Sequence, residues 1–231
     1  MIIKKQSEKN IKQPNIKKNI IYSTLYQVLL LITPLITTPY ISRCLGPEGN
    51  GIYSYANSYQ ILFSMFAALG TLSYGQREIS RNRDDIHIKS QLFWEIELMS
   101  IITSLVCIIG WGVFAVFQKE YRIIYFILTL NIFNTMFDIS WFFAGMEQFK
   151  YTITKNMFCK IVGVILQLIL VKRKEDLALY VLILCLTNLL GTMSMWLALP
   201  KFLVRVPVKS LKIKKHFKET IVYFIFISFL S

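Results

Sequence analysis

Six apolar stretches of membrane-spanning length, at 20–41, 52–72, 93–117, 121–143, about 152–171 and 177–199, occupy most of this chain. A hydrocarbon core of roughly 30 Å takes about 20 helical residues at about 1.5 Å rise. Backbone polar groups find no partner in lipid, so such spans close their hydrogen bonds within each helix. The expected class is therefore an all-α integral membrane protein. A seventh apolar run opens at Ile221 and reaches Ser231, about half a bilayer at about 1.5 Å per residue. It has neither a cap nor a polar flank, which reads as truncation of a longer protein. The chain divides into a basic cytoplasmic tail (1–19), a six-helix lobe (20–200), a basic cytoplasmic connector (201–218) and the start of a seventh helix (219–231).

Orientation follows from the basic residues. The N-terminal tail carries Lys4, Lys5, Lys9, Lys12, Lys17 and Lys18. Segments expected on the same side add Arg77, Arg81, Arg83, Lys89, Lys150, Lys155, Lys160, Lys201, Arg205, Lys209, Lys212, Lys214, Lys215 and Lys218. The other side has only Arg43, Lys119, Arg122, Lys172, Arg173 and Lys174, so 20 of 26 fall on one side. The positive-inside rule makes that side, and the N-terminus, cytoplasmic. Topology thus accounts for the net charge of +13 without nucleic acid, and attraction to anionic lipid headgroups follows from it.

Cys44, Cys107, Cys159 and Cys185 show no CxxC or Cys/His spacing, so neither disulfide nor metal is expected. His87 and His216 fall in loop segments and read as solvated side chains. The run Gly46-Pro47-Glu48-Gly49-Asn50-Gly51 lacks the strand-then-helix context of a phosphate loop and reads as a turn between the first two spans. No catalytic constellation and no cofactor motif is present, so the chain reads as a non-enzyme.

Residues that hydrocarbon should exclude carry what functional signal there is. Asn131, Asn134 and Asp138 recur at i, i+3 and i+7 in the fourth span, with Trp141 near the same side. Asp138 either faces a cavity or caps a helix end. A second stripe joins Tyr53, Asn57, Gln60 and Ser64, and a third joins Tyr26, Thr33 and Thr37 around Pro34 and Pro39, which mark a bend. Interhelical hydrogen bonds, at roughly 0.6–2 kcal/mol each, account for any one stripe, whereas several together favour a water-filled cavity. Glu95 and Glu97, at i and i+2, sit on nearly opposite faces, so at most one of them easily looks into the bundle. Lys160 lies deeper than Lys155 and either snorkels or presents a point charge to a phosphate.

Two runs resemble a known family. Residues 41–53, Ile-Ser-Arg-Cys-Leu-Gly-Pro-Glu-Gly-Asn-Gly-Ile-Tyr, are similar to the first-to-second helix junction of bacterial polysaccharide and O-antigen flippases, the Wzx type of the multidrug/oligosaccharidyl-lipid/polysaccharide exporter superfamily. Residues 137–151, Phe-Asp-Ile-Ser-Trp-Phe-Phe-Ala-Gly-Met-Glu-Gln-Phe-Lys-Tyr, resemble that family's signature after the fourth helix. Gly75-Gln76-Arg77-Glu78 is a third, weaker match. The resemblance extends from about Ile16 to Ser231.

It implies the N-terminal lobe of a two-lobe transporter that flips undecaprenyl-diphosphate-linked oligosaccharides across the inner membrane for capsule, O-antigen or exopolysaccharide synthesis. The implied partners are the lipid-linked oligosaccharide, membrane lipids and other polysaccharide-assembly membrane proteins. Under that reading Arg77 and Lys160 meet the diphosphate. Asn57, Gln60, Asn131, Asn134 and Trp141 line the sugar path, with Asp138 and Glu97 as candidates for a coupling ion. Three alternatives stay open. They are a multidrug or small-molecule exporter of the same superfamily, which would want acidic cavity residues, an inactive flippase fragment, and, weakest, a membrane-embedded transferase.

Overall fold

The computed structural model describes residues 16–207 and 211–230, with side chains for 20, 21, 24–207 and 211–225. Most of the N-terminal tail, with Lys4, Lys5, Lys9 and Lys12, lies outside the described residues, as do Lys209 and Ser231. All regular structure among them is helical: α1 (Ile16–Ala68), α2 (Thr71–Arg81), α3 (Ile86–Phe117), α4 (Arg122–Met136), α5 (Ser140–Gly145), α6 (Phe149–Leu170), α7 (Leu177–Trp196) and α8 (Ile213–Leu230), with single 3-10 turns at Lys174–Asp176 and Leu199–Lys201. Five helical stretches are long and apolar enough to cross a membrane, namely Thr24–Arg81, Ile86–Phe117, Arg122–Gly145, Phe149–Leu170 and Lys174–Lys201. The fold is that of a multi-pass membrane protein.

The 53 residues of α1 would extend about 80 Å as one straight helix, far beyond a bilayer. The helix instead doubles back at Gly46, whose φ of 71° and ψ of 178° are non-helical. Positive φ suits glycine, and the extended ψ suits a residue before proline. Helix resumes at Pro47, which needs no N–H at a helix start. The reversal lets Asn50 Nδ2 donate to Ser42 Oγ at 2.9 Å across eight residues that a continuous helix would hold about 12 Å apart. At the far end Tyr26 and Gln27 share a cavity with Leu72, Ser73 and Gln76. Pro34 and Pro39, expected to mark a bend, leave the backbone helical, and Gly46 makes the only break in α1.

Two apolar clusters hold the helices together. One, at the Gly46 end, gathers Ile41, Leu45, Ala56, Trp111, Leu128, Val171 and Val181, with Trp111 Nε1 donating to the Tyr125 carbonyl at 3.0 Å. The other gathers Tyr74, Phe93, Trp141, Phe142, Phe143, Met195 and Phe202 at the opposite end. Phe93 stacks on Trp141 at 5.5 Å and meets Trp196 edge-on. Gly75 leaves room for that indole, since a Cβ there would come within 2.5 Å of it.

Beyond the connector, α8 packs back onto α2 and α3. A Cβ at Gly70, which has φ 75°, would lie 2.9 Å from the Phe224 backbone nitrogen, so glycine permits this approach. His216, expected to be solvated, is instead 1% exposed because α8 turns this face toward the lobe. Glu95 and Glu97 are both buried, on different sides of α3. The bundle covers Glu97, and His216 of α8 meets Glu95.

Candidate functional site

The apolar span Arg122–Gly145 is interrupted where Phe137–Ile139 leaves the helix between α4 and α5. A break inside a membrane frees backbone groups that need partners. Trp196 Nε1 donates to the Phe137 carbonyl at 2.9 Å, and Ser140 N–H donates to Asp138 Oδ1 at 2.9 Å. Asp138 thus serves its own broken helix, and the regular i, i+3, i+7 face assumed from sequence ends at this point.

Beside the break lies a cavity of about 200 Å³ lined by Tyr26, Asn134, Asp138, Asn156, Lys160, Thr187, Asn188 and Thr192. Every lining residue is polar, in a bundle whose helices are otherwise apolar enough for lipid. The residues come from α1, α4, the α4–α5 break, α6 and α7. Thr192 Oγ1 donates to Asn134 Oδ1 at 2.6 Å, which turns the Asn134 amide group into a fixed donor. Tight packing of α6 on α7 builds one wall. A Cβ at Gly191 would fall 2.7 Å from Asn156 Oδ1, and one at Gly163 would fall 2.9 Å from Thr187 Oγ1. Small residues let membrane helices approach this closely.

Among the described residues, ion pairs within 4 Å join Arg81 to Glu78, Arg83 to Glu147 and His216 to Glu95, and none involves Lys160. The cavity therefore holds an ammonium without a carboxylate partner. Asp138 lies near enough to interact electrostatically with Tyr26 and with Glu97. Glu97 is fully buried, and among the described residues neither carboxylate oxygen has a hydrogen-bond partner.

A second cavity, about 290 Å³, shares Tyr26 with the first and is lined also by Gln27, Leu72, Gln76, Ser140, Trp141 and Thr152, among others. It carries no charged side chain and is the more apolar of the two.

Of the residues singled out from sequence, Asn134, Asp138 and Lys160 come together in the polar cavity, and Trp141 lines its neighbour. Asn131 and Gln60 instead form an interhelical contact, Asn131 Nδ2 to Gln60 Oε1 at 3.4 Å, while Gln60 also donates to Ser64. Asn57 is half-buried and lines neither cavity. Arg77 is exposed, with its guanidinium 5.4 Å from the Tyr223 ring centroid. Sequence reading missed Asn156, Thr187, Asn188 and Thr192. The signal was the i, i+4 pairing of Asn156 with Lys160 and of Asn188 with Thr192, which gives each helix one polar face.

The chain as a whole is similar to known proteins. The chain is 25% identical over 174 residues to a protein of Escherichia coli strain K12 provisionally named O-antigen transporter, and 26% identical over 163 residues to one of the same name from Shigella dysenteriae. The matches cover 74% and 70% of this chain but 42% and 41% of the relatives, so the chain spans less than half their length. No solved structure matches it significantly. Residues 16–231 match the family described as polysaccharide biosynthesis protein, so the chain, with its broken span and polar cavity, belongs to that family.

Proposed function

We propose that this chain supplies the N-terminal, six-pass lobe of a transporter that moves undecaprenyl-diphosphate-linked oligosaccharide across the inner membrane. Its N-terminus and its 201–218 connector face the cytoplasm. The observation that carries this reading is the eight-residue polar cavity with Lys160 unpaired inside it. A diphosphate needs a cation, and a saccharide needs amide and hydroxyl partners. Lys160 supplies the first, and Asn134, Asn156, Asn188 and the threonines supply the second. The break at Phe137–Ile139 fits the discontinuous spans from which membrane transporters build midplane sites. Arg77, exposed beside Gln76 of the second cavity, meets the diphosphate as the ligand arrives. Trp141, Gln60, Asn131 and Asn57 continue the polar path, and Asp138 with Glu97 holds the coupling ion. Family membership and the O-antigen transporter relatives support the substrate class.

The test uses the complete gene in a strain lacking its own flippase. Surface polysaccharide is restored by the wild type and by Lys160→Arg, whereas Lys160→Gln, at equal membrane expression, loses most of the activity. Wild-type rescue by Lys160→Gln would overturn the diphosphate role. The proximity of Asp138 and Glu97 favours one other reading, a small-cation exporter, and restoration of drug efflux without surface polysaccharide would select it.

A further inference from the structure

The strongest unassigned feature lies away from both cavities, where α8 meets α2 and α3. His216 Nε2 is 2.6 Å from Glu95 Oε2, and His216 Nδ1 is 2.6 Å from the Tyr74 hydroxyl. The same hydroxyl donates to Glu219 Oε2 at 3.0 Å. Glu95 Oε1 already accepts from Gln91 Nε2 at 2.8 Å and from the Lys212 backbone N–H at 2.7 Å. Three elements are therefore joined through one imidazole.

Counting hydrogens constrains its state. Each of the three contacts Glu95–His216, His216–Tyr74 and Tyr74–Glu219 needs one proton between its two heavy atoms. With both carboxylates ionised, a neutral imidazole brings one and the phenol brings one. Two protons cannot fill three contacts. One contact would then set lone pair against lone pair in a region where His216 is 1% and Glu95 3% exposed. A second ring proton completes the set: Nε2–H donates to Glu95, Nδ1–H donates to the Tyr74 oxygen, and the Tyr74 hydroxyl donates to Glu219. Glu95 then acts as acceptor in all its contacts, as a carboxylate does.

We propose that this cluster is a binding site for a single proton, and that its occupancy latches α8 onto α2 and α3. The groups facing the ring are Glu95 from α3, Tyr74 from α2 with Glu78 near it, and Glu219 from α8 itself. Arg77 of α2 lies one turn of α8 away, over Tyr223. Release of the proton breaks the Tyr74–Glu219 link and leaves the ring with a single N–H. The docking of α8 then rests on the Glu95 bonds to His216 and the Lys212 N–H, Thr220 with Met99, Phe224 with Phe66 and the close approach at Gly70. Docking therefore tightens as pH falls through the ionisation of the cluster and loosens as pH rises through it. This inference stands apart from the transport reading, since it concerns how α8 is held and not what the cavities bind.

The experiment uses the purified chain in detergent micelles, labelled with 15N at histidine. There are two histidines, and the exposed His87 gives the second, separately assigned signal. Over a pH series from 5.5 to 8.5 the 15N shifts report the protonation of the His216 ring nitrogens, and the proposal requires both to be protonated where docking is tight and one where it is loose. Amide protection over 216–225, corrected for intrinsic exchange, should fall about tenfold with that change, the worth of one buried hydrogen bond. Tyr74→Phe removes the relay and flattens the pH response. In Glu219→Gln the introduced amide donates to the Tyr74 oxygen, which frees the phenol to donate to a neutral ring. Protection then stays high at both ends of the range. Glu219 is exposed, so this variant keeps the test decisive even where Tyr74→Phe fails to fold. Equal wild-type protection at both pH values overturns the proposal, as does a Glu219→Gln response matching the wild type.

Discussion

Glu95 and Glu97 stand two residues apart on α3, both buried, in opposite circumstances. Glu95 looks toward α8 and is surrounded by donors from Gln91, Lys212 and His216. Glu97 looks into the bundle toward Asp138 and has no donor among the described residues. The first is a finished structural joint and the second an unfinished one. Burial is common to both carboxylates, and the count of partners is what separates them.

The largest expected effect comes from spoiling the finished joint. Glu95→Ala leaves His216 buried beside an empty space, and breaking one side of a buried pair costs roughly 3–5 kcal/mol. Unfolding of the chain in detergent should shift accordingly, and a shift too small to measure would show that the joint is ornamental. Gly70→Ala comes next, since it strains a left-handed backbone and pushes a methyl group into α8. A cost of about 1–3 kcal/mol is expected, with reduced amide protection confined to α8 and its neighbours. Unchanged protection there would place the anchor of α8 elsewhere.

Glu97→Leu sharpens the comparison from the other side. With no hydrogen bond to lose and an apolar side chain of similar bulk in its place, stability should change by about 1 kcal/mol or less. Transport by the complete protein should fall nonetheless. A destabilisation equal to that of Glu95→Ala would erase the distinction between the two.

The smallest effect belongs to Asp85, an exposed carboxylate that caps α3 by accepting from Ile88 N–H at 3.0 Å and His87 N–H at 2.8 Å. Those backbone donors, Ile88 first, hold its carboxyl below the usual aspartate range. Its stabilising contribution is complete above that range and is lost as pH falls through the lowered value. Asp85→Ala should speed exchange of the His87 and Ile88 amides at neutral pH. It should bring no further loss on acidification, whereas the wild type frays there.

The helical class and the reversal at Gly46 were legible because each rests on a local constraint, the apolar length of a span in one case and a Gly-Pro pair in the other. The break at Phe137–Ile139 was not, since Asp138 reads as one more polar residue of a helical face and the Trp196 donor that repairs the break lies 59 residues away. His216 was hidden by its neighbours Lys214, Lys215 and Lys218, which give the segment the look of a solvated linker. Its own face of α8, with Thr220 and Tyr223 at helical spacing, was the available counter-signal. The polar cavity was half visible: Asn134, Asp138 and Lys160 stand out in lipid-compatible spans, whereas Thr187, Asn188 and Thr192 pass as ordinary interhelical bonders.

The close seating of α6 on α7 through Gly163 and Gly191 has a mechanical side. A Cβ at either glycine would fall within 3 Å of the facing helix, so α6 and α7 interlock there and sliding one past the other meets steric resistance along the wall carrying Asn156, Lys160 and Thr187. Opposite it, the first arm of α1 is pinned near its Gly46 end, where the Tyr40 hydroxyl meets the carbonyls of Leu168 and Val171 at 3.0 Å each. Toward Tyr26 that arm leaves Ile20, Ile21, Leu25, Leu31 and Leu35 more than half exposed. Tyr26, on that arm, lines both cavities, so a displacement of the arm there would reshape the two together.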